Sequence, residues 1–380
     1  EFMGDIPFRD VYFTSIIRDE QGRKLSKSLN NSPDPIDVID TYGADALRYT
    51  MIYISPIGQD LRYSNEKCEI GRNFANKIWN AARFRKHQGP RSENWDRLDG
   101  LCENDLRPDD QWVIARTSQT VAGVTRALEN FHFHDAAHTL YEFAWNEFCD
   151  WYLESAKAVL NGGTERQAAV TRRVFDYCMS TLLRLLHPIM PFVTEELYHA
   201  LEFIPEDETI MTAPWPEPLG DGTLRALGAT PDTVERVRDK FDLVRAVRNV
   251  KASYQIPPNK KIRVIIAPTD EANRTFLEKD PVSLKVLLTA SELEVDRDWQ
   301  PSGPNGTAVG AMGTAYLPLE GIIDIEEEIE RLVKQEQDIL GFVDKANKKL
   351  ANENFVTRAP AEVVQRERDQ LAELQEKLER

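Results

Sequence analysis

Cysteine is scarce in this chain of 380 residues, and the four present, Cys68, Cys102, Cys149 and Cys178, stand far apart. Without a CxxC pair there is no basis for a disulfide framework or a zinc knuckle, and a reducing, cytoplasmic setting is expected. Long apolar runs are missing as well. Nothing approaches the roughly 18 consecutive apolar residues of a membrane-spanning helix, so no membrane association is expected. A basic excess is also absent: Lys and Arg number 47 against 63 Asp and Glu, for a net charge of −16. Such a chain is a poor overall match to a phosphate backbone, and any nucleic-acid role must rest on local basic clusters. Histidine is sparse, at 6 residues. Three of them, His132, His134 and His138, fall together, but no HExxH-type pattern accompanies them. They read as the polar start of a helix, and no metal site is expected.

What is present describes an ordinary globular protein. Apolar residues make up 41% and charged residues 29%, which excludes a disordered chain. The length suggests two to four domains at roughly 100–200 residues each. Glu1-Phe2-Met3 reads as a cloning remnant ahead of a start at Met3, and residues 1–3 are set aside from the fold.

The patterning changes along the chain. Residues 4–66 read as a small α/β piece. Val11 to Ile17 is a β-rich run, a polar loop covers Arg18 to Asn31, Ser32-Pro33-Asp34-Pro35 punctuates it, and two short helices flank Gly43. Residues 67–220 read as helical throughout. Phe74, Ile78, Ala81 and Ala82 share one helical face, as do Val113, Val121, Val124 and Leu128. Phe133 to Val159 reads as one long helix with Leu140, Phe143, Ala144, Phe148, Trp151 and Tyr152 inward, and Arg172 to Leu186 as another, ended by His187-Pro188. The expected architecture is an antiparallel helix bundle. Pro214-Trp215-Pro216-Glu217-Pro218 closes it as a linker. Residues 221–320 read as a small α/β domain, with a helix from Val234 to Lys251, a β-rich run Ile262 to Ala267, a short apolar segment Leu284 to Leu288 and an edge strand at Ala315-Tyr316-Leu317. Residues 321–380 carry a heptad seam. Ile325, Ile329, Leu332, Glu336, Ile339, Val343, Ala346 and Leu350 step by four and three, and Val364, Leu371, Leu374 and Leu378 resume it after a loop. This predicts an antiparallel coiled-coil hairpin. The expected fold is therefore multidomain and mainly α, with two small α/β pieces.

Chemistry concentrates in Lys24-Leu25-Ser26-Lys27-Ser28. Two ammonium groups on one loop suit a triphosphate, where charge builds on departing pyrophosphate, and the hydroxyls of Ser26 and Ser28 can donate to phosphate oxygens. Taken alone, so short a segment is equally well a solvated basic turn. Its surroundings favour the first reading. The pentapeptide resembles the KMSKS signature of class I aminoacyl-tRNA synthetases, with Leu25 where methionine is usual, a substitution that keeps volume and apolarity. Gly43-Ala44-Asp45-Ala46-Leu47-Arg48 resembles the GADALR helix that follows the signature in that family, and Val11-Tyr12-Phe13-Thr14 resembles the strand leading into it. Asn30 fits the residue that trails the motif, and Asn31 departs from the usual pattern. Further on, Asn76-Lys77-Ile78-Trp79-Asn80-Ala81, Leu186-His187-Pro188 and Pro191-Phe192-Val193-Thr194-Glu195-Glu196-Leu197 resemble the valine, isoleucine and leucine group. Lys349-Leu350-Ala351-Asn352, Phe355-Val356 and Ala359-Pro360-Ala361-Glu362-Val363-Val364 resemble the C-terminal arm of valyl enzymes. No cysteine cluster of the kind that often ends isoleucyl enzymes is present.

The resemblance implies a stem-contact region with the lysine loop at 4–66, an anticodon-binding bundle at 67–220 and a tRNA-binding arm at 321–380. It implies tRNA(Val), valine and ATP, the last with Mg2+, as substrates of a parent enzyme that joins valine to tRNA through valyl-adenylate, and a monomer. It assigns catalytic work to Lys24 and Lys27, with ATP contacts from Lys24, Ser26, Lys27 and Ser28. A HIGH-type histidine motif and an editing domain are not found, so this chain is expected to be the C-terminal part of such an enzyme, inactive alone. For tRNA the candidates begin with a cluster of cations beside an aromatic: Arg72, Lys77, Arg83, Phe84, Arg85 and Lys86. The resemblance favours Phe84 stacking on a base, with Lys77 bonding and Arg83 close by; the alternative for Phe84 is a core aromatic. Arg245 and Arg248 share a helix face near Lys251, Lys260, Lys261 and Arg263, read either as backbone contact or as a solvated helix side. Lys345, Lys348, Lys349 and Arg358 sit near the hairpin tip, suited to an RNA backbone or to ordinary coiled-coil flank charge. Trp79, Trp145 and Trp151 read as core aromatics. An isoleucyl or leucyl relative and a non-catalytic tRNA-binding protein remain as alternatives.

Overall fold

In the computed structural model, residues 4–322, 325–352 and 360–379 are described. The N-terminal piece is built on a two-residue parallel ladder between β1 (Ile17–Arg18) and β2 (Leu61–Arg62). The β-rich run from Val11 forms strand only at its end. Its earlier residues lie outside any ladder, with Val11 and Phe13 well exposed. After the loop, Asp34 caps α1 (Pro35–Tyr42) by accepting from the Ile36 amide at 2.9 Å, with Pro35 at the first helical position. Gly43, at φ 96°, turns the chain into α2 (Ala44–Tyr53). Val38, Leu61, Tyr63 and Cys68 form a small core beneath this region.

The helical body follows: α3 (Cys68–His87), α4 (Pro108–Glu129), α5 (Phe133–Tyr141), a π-helical stretch (Glu142–Tyr152), α6 (Leu153–Gly162), α7 (Glu165–Leu186) and α8 (Pro191–Ala200). Gly71 lets α3 approach α2 at Ala46, where a Cβ would collide with backbone. The segment expected as one long helix is continuous from α5 to α6, but its π-helical middle changes the periodicity. Phe143, Ala144, Phe148 and Tyr152 stay in the core, while Trp145 and Trp151 are only half-buried. α7 begins before Arg172, because Thr164 and Gln167 form a capping box at its N-terminus. The Pro-rich stretch packs along α4: Trp215 donates from Nε1 to Thr125 Oγ1 at 2.9 Å, and the Leu219 amide donates to Ser118 Oγ at 2.9 Å.

After α9 (Asp221–Ala226) and α10 (Pro231–Ser253) comes a four-stranded sheet. β3 (Ile262–Pro268) crosses through α11 (Glu271–Glu278) and α12 (Pro281–Leu287) to the parallel β4 (Ala290–Val295). β5 (Asn305–Gly310) and β6 (Gly313–Pro318) form a hairpin whose β6 pairs antiparallel with β3. The Ala315-Tyr316-Leu317 run, expected at an edge, therefore lies inside the sheet between β3 and β5, with Ala315 and Leu317 turned into the core. One apolar core runs without a break from α2 and α3 through the bundle into α10 and this sheet. An ionic seam crosses the same junction. Arg107 binds Asp110 at 2.8 Å and Asp280 at 3.0 Å, and Lys240 of α10 binds Asp109 of α4. Ser155 and Ser283 complete the hydrogen bonding, so these buried charges are mutually satisfied. Finally α13 (Ile325–Ala351) and α14 (Ala361–Glu379) pack together, with Ala346 and Val364 buried between them. Lys349, near the end of α13, pairs with Glu367, near the start of α14, as an antiparallel hairpin requires.

Candidate nucleotide loop and nucleic-acid interface

The lysine loop hangs on a hydrogen-bonded frame. The Leu25 amide donates to the Ile17 carbonyl at 3.1 Å, and Lys24 bridges to Arg18 across an antiparallel pair. Asp19, nearly buried, is the hub at its base. It accepts from the Arg23 amide at 2.8 Å and from Arg23 Nε at 2.7 Å. Asn31 ties the far side: its Nδ2 donates to Asp19 Oδ2 at 2.9 Å, and its Oδ1 accepts from the Ser26 amide at 2.8 Å. The Asn31 hydrogen bond, with Arg23 adding to it, holds the Asp19 carboxyl down to about 2. The residue that departs from the family pattern is therefore the latch that closes the loop. Within the loop, Ser26 caps a single 3-10 turn, Lys27–Leu29, and its Oγ lies 2.7 Å from Ser28 Oγ. Asn30 ends the turn at φ 48°, a left-handed conformation that asparagine tolerates. Lys24 and Lys27 are exposed, and among the described residues neither ammonium has an ion-pair partner. The loop thus carries two exposed cations, unpaired among the described residues, together with two adjoining hydroxyls.

Helix α2 fastens this region to the bundle. Asp45 accepts from the Val193 amide at 2.6 Å and the Phe192 amide at 3.3 Å, capping α8. Arg48 donates to the carbonyls of Ile189 at 3.0 Å and Pro188 at 3.1 Å. Tyr49 donates to the Ala137 carbonyl at 3.0 Å, and His138 stacks on Tyr53 with ring centres 3.9 Å apart. Burial holds His138 below the usual imidazole range, as befits a neutral packing residue. Among the described residues no group of three or more His, Cys, Asp or Glu side chains could hold a metal ion.

The cations of α3 have different fates. Arg85 is buried and binds Asp176 at 2.8 Å, so it belongs to the core and offers nothing to a partner outside. Arg72 pairs with Glu69. Lys77 pairs with Asp150 at 2.5 Å and lies 4.8 Å over the Trp145 ring. Arg83 and Lys86 are exposed and have no ion-pair partner among the described residues. Phe84 is half-buried against the core, with Lys157 5.6 Å from its ring centre. Trp79, expected in the core, is 41% exposed.

The second cluster lines an open groove of about 870 Å³ between the π-helical stretch and α10. Trp151 stacks on Phe241 there, and Arg245 and Arg248 lie 5.6 and 5.1 Å over its ring. Arg245 also pairs with Asp242, and Arg248 donates to the Leu287 carbonyl at 3.1 Å. Glu142, Glu147, Asp150 and Glu154 share the groove, so its charge is mixed. Lys251 is spent inside the fold, where its ammonium donates to the carbonyls of Lys260, Leu288 and Thr289. Arg263 pairs with Glu294 at 2.6 Å. On the arm, Lys345 lies over Phe342, Lys348 pairs with Asp344, and Lys349 pairs with Glu367. Arg358 lies outside the described residues.

Three family models match this arrangement in order. Residues 1–64 match class I tRNA synthetases of the I, L, M and V type, residues 110–266 the anticodon-binding domain of tRNA ligase, and residues 324–380 the valyl-tRNA synthetase tRNA-binding arm. The valine–tRNA ligase of Geobacillus stearothermophilus is 43% identical over 380 residues, which is 100% of this chain and 42% of the relative. The chain corresponds to the C-terminal part of valine–tRNA ligases. The Geobacillus kaustophilus enzyme is 42% identical over the same share of each chain, and that of Staphylococcus saprophyticus 40% identical over 99% of this chain and 42% of its own. The chain thus spans about two fifths of the length of these relatives. Among the described residues no helix is long and apolar enough to cross a membrane.

Proposed function

We propose that this chain is the tRNA-docking part of a cytoplasmic, monomeric valine–tRNA ligase and brings that enzyme the lysine loop of its ATP site. The observation that carries the reading is the joint presence of a valyl-type arm and a framed loop whose two lysines have no ion-pair partner among the described residues. In the reaction, the carboxylate of valine attacks the α-phosphate of ATP, forming valyl-adenylate and releasing pyrophosphate. The terminal ribose hydroxyl of tRNA(Val) then takes the acyl group and AMP leaves. Lys24 and Lys27 act in the first step. Their ammonium groups face the β- and γ-phosphates and stabilise the charge that gathers on pyrophosphate as the bond to the α-phosphate breaks. Ser26 and Ser28 donate to phosphate oxygens once their mutual hydrogen bond opens. Mg2+ accompanies ATP as part of the substrate.

For tRNA, Lys77 and Arg83 of α3 face the anticodon end, Arg245 and Arg248 the groove beside α10, and Lys345, Lys348, Lys349 and Arg358 of the arm the outer corner. The salt bridges of Lys77, Arg245, Lys348 and Lys349 are partly or fully exposed. Exposed pairs are worth about 0–1 kcal/mol, so a phosphate can displace the carboxylate at little cost. Phe84, half-buried beside Lys157, contributes to the interface through the part of its ring that remains exposed. Lys27→Ala, placed in a ligase that carries this chain as its C-terminal part, tests the loop. ATP–pyrophosphate exchange is expected to fall by roughly two orders of magnitude, the usual cost of one preorganised charge. Exchange at the unmodified rate refutes the assignment.

A further inference from the structure

The chain has seven tryptophans. Six are engaged: Trp95 stacks on Phe203, Trp112 meets Phe241 edge-on, Trp145 stacks on Tyr141, Trp151 on Phe241, Trp299 packs on Tyr316, and Trp215 donates to Thr125. Trp79 differs from all of these. Among the described residues no ring or cation covers its indole, and its Nε1–H has no acceptor. It stands on the solvent face of α3 at 41% exposure. A large aromatic left 41% exposed on a helix, with no stacking or hydrogen-bond partner among the described residues, is unusual, since most such rings are packed or stacked.

Its neighbours supply the chemistry. Arg83 and Lys86 follow one and two turns along the same face, and both are exposed cations without an ion-pair partner among the described residues. The other cations of the helix are already spoken for: Arg72, Lys77 and Arg85 are paired with Glu69, Asp150 and Asp176. Exposed Asn76, one turn before Trp79, and Asn80, next to it in sequence, add neutral donors and acceptors to this part of the helix surface. In a chain of net charge −16, a partly exposed indole beside two cations that are unpaired among the described residues is a local exception. We infer that Trp79, with Arg83 and Lys86, forms a stacking subsite for an unpaired nucleotide of RNA: the base lies on the indole and the adjoining phosphates meet the two cations. This pairing of an aromatic platform with backbone cations is how unpaired bases are held without a groove. Phe84, whose ring is half-buried and covered by Lys157, does not offer such a face.

The inference rests on the tRNA-docking reading and names a residue for it. Its test titrates the full chain with an RNA stem–loop and with a blunt RNA duplex of equal charge, using unmodified protein, Trp79→Ala, Trp79→Phe and the Arg83→Gln, Lys86→Gln double variant. Trp79→Ala is expected to weaken stem–loop binding about tenfold, the loss expected for one base–aromatic stack, and to leave duplex binding unchanged. Trp79→Phe should retain most of the affinity, and both variants should melt where the unmodified protein does. The double variant should lower the salt dependence of stem–loop binding by roughly 0.7 in slope per cation removed. Stem–loop binding by Trp79→Ala within about twofold of the unmodified chain overturns the subsite, as does an equal loss on both RNAs. A change in self-association with RNA binding untouched overturns it too, and makes the face a contact between copies. If the unmodified chain binds neither RNA, the tRNA-docking reading falls and this one with it.

Discussion

Lys240→Met probes the ionic seam that joins α10 to the bundle. The Asp109 and Lys240 side chains are 0% and 4% exposed, and the pair sits where α4, α6 and α10 meet. Burial alone would raise the Asp109 carboxyl; Lys240 and Arg107 outweigh that and hold it below the usual carboxylate range. Methionine keeps the length of the lysine stem and removes the charge. Asp109 is then left with Ser155 and the more distant Arg107. Breaking one side of a buried pair costs about 3–5 kcal/mol. At about 2 °C per kcal/mol for a body of this size, the melting midpoint should fall by roughly 6–10 °C at pH 7. The double variant Asp109→Leu, Lys240→Met removes both charges and should recover most of that loss. The pH dependence has a definite sign. In the unmodified protein the depressed Asp109 contributes stability above the unfolded carboxylate range and loses it as pH falls. In Lys240→Met burial dominates, the carboxyl rises above its unfolded value, and protonation relieves the fold. The gap between variant and unmodified protein should therefore narrow from pH 7 to about pH 5. Thermal unfolding followed by circular dichroism at both values measures this. A single variant within about 1 °C of the unmodified protein, or a double variant as unstable as the single, refutes the account of the seam.

Two further outcomes follow from the loop and its anchor. Asn31→Ala removes the main hydrogen bond that depresses Asp19, so its carboxyl should climb from about 2 toward the ordinary range. The stability Asp19 contributes, present above the unfolded value and lost only as pH falls toward 2 in the unmodified chain, is then smaller and lost at higher pH. A carbon-detected NMR titration of Asp19 reads the shift, and an unchanged value shows that Asn31 is not the latch. Gly71→Ala forces a Cβ into the Ala46 backbone and should cost about 1–3 kcal/mol by denaturant unfolding, with α2 displaced from α3; a neutral result would mean that the two helices are not seated as described.

Much of the fold was legible because period and punctuation carry it. Asp34-Pro35, Gly43 and Pro191 mark helix starts and turns, and the heptad seam is seen in Ala346 and Val364, which are both buried in the hairpin. What escaped depends on contacts distant in sequence. Arg85 looked like one more cation in a basic run, yet its partner Asp176 lies 91 residues away and takes it into the core. Tryptophan reads as core by composition, but in the π-helical stretch Trp145 and Trp151 are only half-buried, with Trp151 lining the groove beside α10, and Trp79 on α3 is 41% exposed. The strand run from Val11 found no partner strand along most of its length, whereas Ala315 to Leu317 found two. In the loop, Lys24 to Ser28 was visible as a motif, but the Asp19–Asn31 link that shapes it has no periodic signature.

The central claim is that this chain is the tRNA-docking part of a valine–tRNA ligase, and its affinity for tRNA tests that most directly. Titration of the full chain with tRNA(Val) and with a tRNA of another acceptor identity, at two salt concentrations, should give tighter binding of tRNA(Val) by about tenfold or more and a steep loss of affinity with salt. Equal affinity for the two tRNAs, or no saturable binding of either, contradicts the account.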